Sequence, residues 1–330
     1  MRPPSATVVL IAYDQEQFVE DALRSILGQD RKDFELVIAD DCSRDGTLDV
    51  IRRLLETSDA PFPVRILDTE PNLGVVANWN RAVEDARGDI VIGAAGDDIM
   101  APDRVSRTLE FFREHPECQA LSGNCRTIDE RGVILRDPWR TRRRAETRRL
   151  GAGPLWKGFG FIGATAAYRA EMLRAFGPLD RRCGSEDTPG VVRGQLAGGA
   201  AVLPEVLVSW RRHSASLSFS SSGNAGWLAK LRKARGAYRD AQQIRKDILR
   251  SVELSMRTTA EVKGAKQEAA LMYHQNRIKY HLLHPRRRAG VVLGMVRTLW
   301  RDKDIPFLPK LALAAKRLLG LLRRKRVISA

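Results

Sequence analysis

The stretch Ile38-Ala39-Asp40-Asp41-Cys42-Ser43-Arg44-Asp45-Gly46-Thr47, read with Ala94-Ala95-Gly96-Asp97-Asp98, decides the fold. In each case an apolar run, Phe34–Ala39 or Ile90–Ala95, ends abruptly in carboxylates. Short β-branched apolar runs read as buried strands. Acids at the carboxyl ends of two such strands in one open sheet converge on the crevice where α/β proteins bind ligands. Adjacent carboxylates there suit a hard divalent cation, and such a cation suits a diphosphate. The expectation is an enzyme acting on an activated, phosphate-bearing substrate.

Working outward, Thr7–Ala12 and Val64–Leu67 predict two more strands. Between the strands, Glu16–Leu27, Thr47–Thr57 and Val75–Ala86 repeat their apolar residues at helical spacing. Strand and helix alternate, which predicts a mostly parallel sheet flanked by helices. Pro102 opens a further helix, as Pro does in a first turn. Gln119–Ser122 and Ala200–Val208 read as strands, and order returns over Phe161–Arg169. The Arg-rich, apolar-poor stretch 136–149 reads as an exposed loop, and Ser214–Asn224 as another. From Trp227 a heptad-like stripe (Leu231, Ala234, Tyr238, Ala241, Ile248) begins a helical extension that runs toward His284 and stops at Pro285. The predicted organisation is a catalytic body over 1–224, a helical extension over 225–284 and a basic amphipathic tail over 285–330.

Charge follows this division. The chain of 330 residues carries a net charge of +16. Residues 1–220 hold 30 Lys and Arg against 33 Asp and Glu; residues 221–330 hold 26 against 7. The tail, with Arg286-Arg287-Arg288 and Arg323-Arg324-Lys325-Arg326 around the amphipathic stretch Leu308–Leu322, suits an anionic membrane surface. Packing on the body, or pairing of two copies, fits the same pattern. Nucleic acid is not expected, because the tail lacks aromatics for base stacking. Cys42, Cys118, Cys125 and Cys183 form no metal or disulfide framework and point to a reducing compartment. Neither a signal peptide nor a run of about 20 apolar residues is visible, so a cytoplasmic protein, peripheral on the inner membrane face through its tail, is expected.

Six motifs in order then give a resemblance: Ala12-Tyr13-Asp14, Asp40–Thr47, Asn72-Leu73-Gly74, Gly96-Asp97-Asp98, Ser185-Glu186-Asp187 and Trp210-Arg211-Arg212-His213. From about residue 5 to residue 220 the chain resembles the family-2 glycosyltransferases, which have the GT-A (nucleotide-diphospho-sugar transferase) fold. The resemblance implies an inverting, metal-dependent transfer of a sugar from a nucleotide-diphosphate sugar to a saccharide or lipid-linked saccharide hydroxyl, in cell-surface polysaccharide synthesis. It implies that Asp41 binds the base imide, that Tyr13 lies against the base and that the Ala12 backbone helps hold it. Asp98 would bind Mg²⁺ or Mn²⁺, and Asp97 the ribose or a metal-bound water. Asp187 would be the catalytic base with Glu186 in support. Arg211 would meet the diphosphate and His213 would lie near the metal, on a loop that closes over the donor. Asn78 and Asn80 would support the donor loop.

Each motif also has a plainer reading. Ser43 and Asp45 suit a helix start, and Asn72-Leu73-Gly74 a turn. Gly96 is read as making room for a sugar phosphate. Glu186-Asp187 could be a surface pair, and a lone His is more often structural than catalytic. Gly158-Phe159-Gly160-Phe161-Ile162-Gly163 matches GxGxxG without the strand–helix context of a dinucleotide site. A non-catalytic scaffold that kept the fold, and a nucleotidyltransferase, are the alternatives.

Overall fold

The computed structural model describes residues 4–141, 144–153, 155, 159–214, 216, 227–283, 298–306 and 309–310. Most of the Leu308–Leu322 stretch, most of Ser214–Asn224, and both Arg clusters of the tail therefore lie outside the described residues.

The first four strands are β1 (Ala6–Ala12), β2 (Phe34–Asp40), β3 (Val64–Leu67) and β4 (Ile90–Ala95). They lie side by side in the order β3-β2-β1-β4, all parallel. β1 and β2 are buried along almost their whole length, as strands covered on both faces must be, and this is why their sequences are continuous rather than alternating apolar runs. Between them run α1 (Val19–Leu27), α2 (Thr47–Thr57) and α3 (Val75–Asp85). Each helix buries one stripe: Ala22, Leu23 and Ile26 on α1; Val50, Ile51 and Leu54 on α2; Val76, Trp79 and Ala82 on α3. The chain passes from β1 to β2 on one side and returns with β4 on the other. The strand order therefore reverses between β1 and β4, and a crevice opens at their carboxyl ends.

The remaining strands extend the sheet in mixed sense. β5 (Ile99–Met100) leads into α4 (Arg104–Glu114), followed by β6 (Ala120–Ile128), β7 (Ile134–Arg136) and β8 (Glu146–Arg148). The stretch 136–149 is thus not loop throughout: Thr147 and Arg148 register with Ala201 and Ala200. Backbone pairing supplies what its apolar-poor sequence does not advertise. A 3₁₀ turn at Gly163–Thr165 precedes β9 (Ala167–Arg169), which runs antiparallel between β4 and β6. Then come α5 (Ala170–Phe176), α6 (Asp187–Ala197) and the long strand β10 (Ala200–Arg211). β10 is parallel to β6, with register shifts around Val206 just past Pro204, where a residue without an N–H is tolerated.

The extension is a helical pair, α7 (Trp227–Glu253) and α8 (Lys263–Leu283), not one continuous helical run. Ser255 adopts φ 57°, and Thr258 and Glu261 exchange backbone-to-side-chain bonds of 2.6 and 3.3 Å, a box-like turn that leads into the second helix. The pair shares its core with the body. Ala241, Ile244, Ile248, Ala265 and Ala269 join one apolar cluster with Leu173, Phe176, Val191, Val192 and Leu196. Arg193 of α6 and Asp247 of α7, each 2 % exposed, form a buried ion pair at 2.9 Å.

Candidate active site

The crevice at the β1–β4 boundary is built first from backbone. Asp41 N–H bonds Ala12 O at 3.0 Å, and Gly96 N–H bonds Ile11 O at 2.9 Å. These bonds place Ala12, Asp41 and the Gly96-Asp97-Asp98 turn side by side. Tyr13 follows with its ring 39 % exposed, an aromatic face open at the mouth. Asp14 sits at φ 49°, a conformation Asp tolerates better than most residues.

The Asp40–Thr47 motif divides its labour. Ser43 Oγ accepts Asp14 N–H, Thr47 Oγ1 accepts Gln15 N–H and Asp45 accepts Glu16 N–H, at 2.7 to 3.1 Å. Ser43 and Asp45 therefore fasten the segment after β1; α2 itself begins after Gly46 with no side-chain cap. Asp40 holds Ser43 through its N–H (2.9 Å) and hydroxyl (2.5 Å). Asp41, 3 % exposed, accepts Leu73 N–H at 2.7 Å and Gly74 N–H at 2.8 Å. Asn72 Nδ2 returns a bond to Asp41 O at 2.7 Å. Gly74, at φ 87°, lets the chain turn into α3. Asp41 is thus the anchor of the 72–74 loop at the crevice edge. Asn78 bonds Ala39 O and braces β2, whereas Asn80 bonds Leu179 and supports the far end of α5 instead.

Gly96 meets a neighbour other than the one its sequence context suggested. A Cβ there would run into Gln15 Oε1 and lie 3.3 Å from Ala12 Cβ, so the missing side chain makes room for Gln15. Asp97 and Asp98 then face different partners. Asp97 Oδ2 lies 3.0 Å from His213 Nε2. Asp98, 6 % exposed, accepts Arg211 N–H at 2.8 Å. Its carboxyl is held well above the usual range, first by burial and then by the Asp97 charge. Arg104, buried on α4, donates to Gly93 O at 2.6 Å and faces Asp98 electrostatically. Neither it nor Gln15 stood out in the sequence; a Pro-Asp-Arg helix start carries no sign that its Arg turns inward.

Arg211 differs most from expectation. Its guanidinium is 2 % exposed and committed within the protein: to Asp97 O at 3.0 Å, Glu130 O at 3.0 Å and Asp21 at 2.9 Å, with Phe18 stacked 5.0 Å beneath it. No fork is left to grip a diphosphate, so the side chain positions the acidic turn. Arg212, half-buried over Trp210 at 4.8 Å, is the guanidinium of this motif that is not sealed in. His213, buried, packs on Phe18 with ring centres 4.6 Å apart.

Glu186 and Asp187 stand at the start of α6. Asp187 packs against the 3₁₀ turn: a Cβ on Gly163 would lie 2.9 Å from its Oδ2. That turn leans on β4 through Gly93 N–H to Ala166 O at 3.0 Å, and on β6 through Thr165 and Ser122 hydroxyls 2.8 Å apart. The second acidic group is thereby tied to the strand that carries the first. The decoy GxGxxG motif ends in this turn and has no βαβ unit; its Gly158 lies outside the described residues. Burial and the Asp187 charge raise the Glu186 carboxyl to about 7. Asp240 of α7, also raised to about 7 chiefly by burial, accepts Gly184 N–H at 2.7 Å just before the pair. Tyr168 has a buried hydroxyl with no hydrogen-bond partner among the described residues, and its ionisation is pushed up by burial and by the Glu186 and Asp187 charges. Asp240 was not legible as a site residue, since it comes from a helix far along the chain.

A divalent cation fits the donor set in type, with adjacent hard carboxylates at Asp97 and Asp98 and an imidazole at His213. A buried carboxyl held above its usual range beside a second, half-buried carboxylate is what a cation would relieve. Among the described residues no group of three His, Cys, Asp or Glu is arranged to hold a metal by itself, so phosphate oxygens and water would have to complete the shell.

The parallel β3-β2-β1-β4 sheet with acids at its reversal point, continued by an antiparallel strand and a second acidic helix start, is a GT-A architecture. The chain belongs to glycosyl transferase family 2, whose family model matches residues 7–177. It is 29% identical over 131 residues to a Bacillus subtilis protein bearing the name glycosyltransferase EpsE, covering 39% of this chain and 46% of that protein. It is 31% identical over 120 residues to the B. subtilis teichuronic acid biosynthesis glycosyltransferase by name, TuaG, covering 36% and 46%. The matches span about half the length of these curated relatives. Among solved structures, Staphylococcus aureus TarS 1–349 in complex with UDP-GlcNAc superposes with a TM-score of 0.57 at 18% identity, over 96% of this chain and 92% of that one. The mannosyltransferase PcManGT of Pyrobaculum calidifontis, in complex with GDP-Man and Mn²⁺, superposes with a TM-score of 0.53 at 17% identity, over 99% and 83%. At these identities the superpositions establish the shared fold.

Proposed function

We propose that the protein is an inverting, divalent-metal-dependent glycosyltransferase that moves a sugar from a nucleotide diphosphate to a saccharide or lipid-linked saccharide hydroxyl in cell-surface polysaccharide synthesis. The observation that carries this reading is that two acidic groups, Asp97-Asp98 in the turn after β4 and Glu186-Asp187 behind the Gly163–Thr165 turn that bonds to β4, are tied to one strand. The donors bound by TarS and PcManGT support a nucleotide-sugar donor here. The names of EpsE and TuaG support a surface-polymer setting.

In this reading the nucleotide lies across the carboxyl ends of β1 and β2. The Ala12 backbone and the Tyr13 ring hold the base, and Asp41 serves it both directly and by fixing the Leu73-Gly74 backbone. Asp97 meets the ribose. Asp98 and His213 would hold Mn²⁺ or Mg²⁺, which when bound supplies charge stabilisation for the departing diphosphate. Asp187 takes the proton of the acceptor hydroxyl as that oxygen attacks the anomeric carbon from the face opposite the leaving group. Glu186, with its carboxyl near 7, orients the acceptor or keeps the second proton of the pair. Arg211 keeps the acidic turn in place. Residues 1–224 act as the catalytic body, 225–284 as a brace on its acceptor side, and 285–330 as a basic segment that draws the enzyme to the inner membrane face or to a second copy.

The deciding experiment is hydrolysis or transfer of a panel of nucleotide sugars by purified protein, with Mn²⁺ and then with chelator. Turnover of one donor that stops on chelation is expected. No turnover of any donor, with or without acceptor lipid, sinks the transferase reading, and turnover indifferent to chelator sinks the metal assignment. Asp187→Asn is expected to abolish transfer while leaving donor binding intact.

A further inference from the structure

Most apolar side chains on a protein surface stand singly and need no explanation. Val133, Ile134 and Leu135 do not: they are consecutive, and 59, 52 and 60 % exposed. Neighbouring residues of a strand point to opposite faces, so exposure of all three means that neither face of this strand is covered. Val133 leads into β7, which Ile134 and Leu135 begin and which among the described residues pairs only with β6. The two form a hairpin closed by Asp129 and Gly132, with Asp129 Oδ1 accepting Arg131 N–H at 2.9 Å and Val133 N–H at 2.8 Å. The projection is therefore a built hairpin.

Its flanks are cationic and aromatic. Arg131 and Arg136 are exposed on either side of the apolar run, and Arg140 is exposed further along the hairpin, beside Asn124. Arg136 lies over Trp139 at 5.2 Å, Trp139 meets Trp210 edge-on at 5.8 Å, and Arg212 lies over Trp210 at 4.8 Å. Asp137 pairs with Arg126 at 3.3 Å, and Asp129 and the exposed Glu130 stand at the turn, so with Arg212 the hairpin carries five Arg against three acids and keeps a cationic excess. We infer that the β6–β7 hairpin is a membrane-interface anchor: Val133, Ile134 and Leu135 enter the acyl boundary of an anionic bilayer while Arg131, Arg136 and Arg140 meet its phosphates. The charge pattern selects this occupant. Apolar tips ringed by long cationic stems, with Trp at the border, match the layering of headgroup over hydrocarbon. An apolar protein groove would leave the surrounding guanidinium groups uncompensated.

The hairpin is mechanically continuous with the donor site. Arg211 binds Glu130 O and Asp97 O through one guanidinium, and Arg212 N–H bonds Ile128 O at 2.8 Å. A docked hairpin thus holds the crevice at the bilayer surface, where a lipid-linked acceptor presents its sugar; that last consequence rests on the proposed transferase reading, whereas membrane binding does not. Vesicle binding and nucleotide-sugar turnover therefore fail separately.

The test uses the full chain with phosphatidylcholine–phosphatidylglycerol vesicles and with phosphatidylcholine vesicles. The triple variant V133S, I134S, L135S alters only exposed side chains and is expected to sediment with anionic vesicles about tenfold less well than the parent. Donor hydrolysis in solution should be unchanged. A solvatochromic label on Ile134→Cys is expected to shift to the blue on anionic vesicles and not on neutral ones. Unchanged partitioning of the triple variant with no label shift overturns the inference and leaves any binding to the basic tail. Loss of self-association by the triple variant, with vesicle binding intact, also overturns it and makes the hairpin a protein contact.

Discussion

Asp240 of α7 accepts the backbone N–H of Gly184 at 2.7 Å, so a helix from beyond the family-matched region grips the loop that presents Glu186 and Asp187. The approach is close enough to demand glycine on both sides: a Cβ on Gly184 would lie 2.8 Å from Gly236 Cα, and one on Gly236 2.7 Å from Gly184 Cα. The helical pair is therefore a structural support of the loop that carries Glu186 and Asp187. Asp240→Ala leaves a buried N–H unpaired and should cost about 1–3 kcal/mol of stability. Asp240→Asn keeps an oxygen acceptor and should recover most of that loss in thermal melts. If both variants melt like the parent, the brace is not a brace.

The same acids set a pH dependence. Glu186 and Asp240 each titrate near 7 in the folded chain, against ordinary values of 4.5 and 3.8. The folded state then holds protons that the unfolded chain has released, and stability must fall as pH rises through the interval from about 4 to 7. Their favourable contribution is complete below the unfolded values and gone above 7. Glu186→Gln should flatten that decline and raise the melting temperature at pH 8 relative to the parent. Transfer should show the opposite slope, rising through pH of about 7 as the Glu186-Asp187 pair loses its second proton. Melting and rate profiles measured from pH 4 to 9, as an approximate span of these titrations, check both slopes.

The parallel half of the fold was legible because its signals are local. The bounds of Thr47–Thr57 and Val64–Leu67 agree with α2 and β3 residue for residue, since each is a short apolar-patterned run whose ends are marked by polar or turn-forming residues. β8 was missed because it is a three-residue strand whose pairing partner, β10, lies far along the chain. The break between α7 and α8 was visible in principle, as Thr-x-x-Glu at 258–261, but it falls within a run of helix formers. In the site, strand-end acids announced themselves. Arg211 did not reveal its direction, because an Arg beside a phosphate site and an Arg buried under an acidic turn look alike in sequence. Asp240 was invisible for a different reason: only tertiary packing brings α7 to Gly184.

The anchoring of the 72–74 loop makes a sharp expectation for Asp41. Asp41→Ala strips the acceptor from two N–H groups at once, those of Leu73 and Gly74. Donor affinity should fall at least about tenfold, with a stability loss on the order of 2 kcal/mol. Isothermal titration with the nucleoside diphosphate reads the first and denaturant unfolding the second. Unchanged affinity would remove Asp41 from the nucleotide site.

The buried pair Arg193–Asp247 should behave as a coupled unit. Arg193→Met leaves Asp247 unpaired in an apolar setting, a loss of about 3–5 kcal/mol. Adding Asp247→Leu should return most of it, since two packed apolar groups replace two desolvated charges. A double-mutant cycle in urea measures the coupling, and strict additivity would show that the pair does not join the helical extension to the body.

Arg211 separates positioning from direct phosphate binding. Arg211→Lys preserves the positive charge but cannot reach Asp97 O, Glu130 O and Asp21 together with a planar fork. If the side chain gripped the diphosphate from solvent, Lys would retain much of the electrostatic attraction and mainly raise the donor KM. The buried geometry argues for a different outcome. The acidic turn loosens, the Asp98 carboxylate loses its fixed register with β10, and kcat falls with KM while the protein melts lower. The Arg212→Lys variant, altering a guanidinium that is not sealed in, should leave the melting temperature unchanged. Steady-state kinetics and melting curves on the two variants therefore discriminate the roles, and an Arg211→Lys protein of parental stability with only a raised donor KM would restore the direct diphosphate contact.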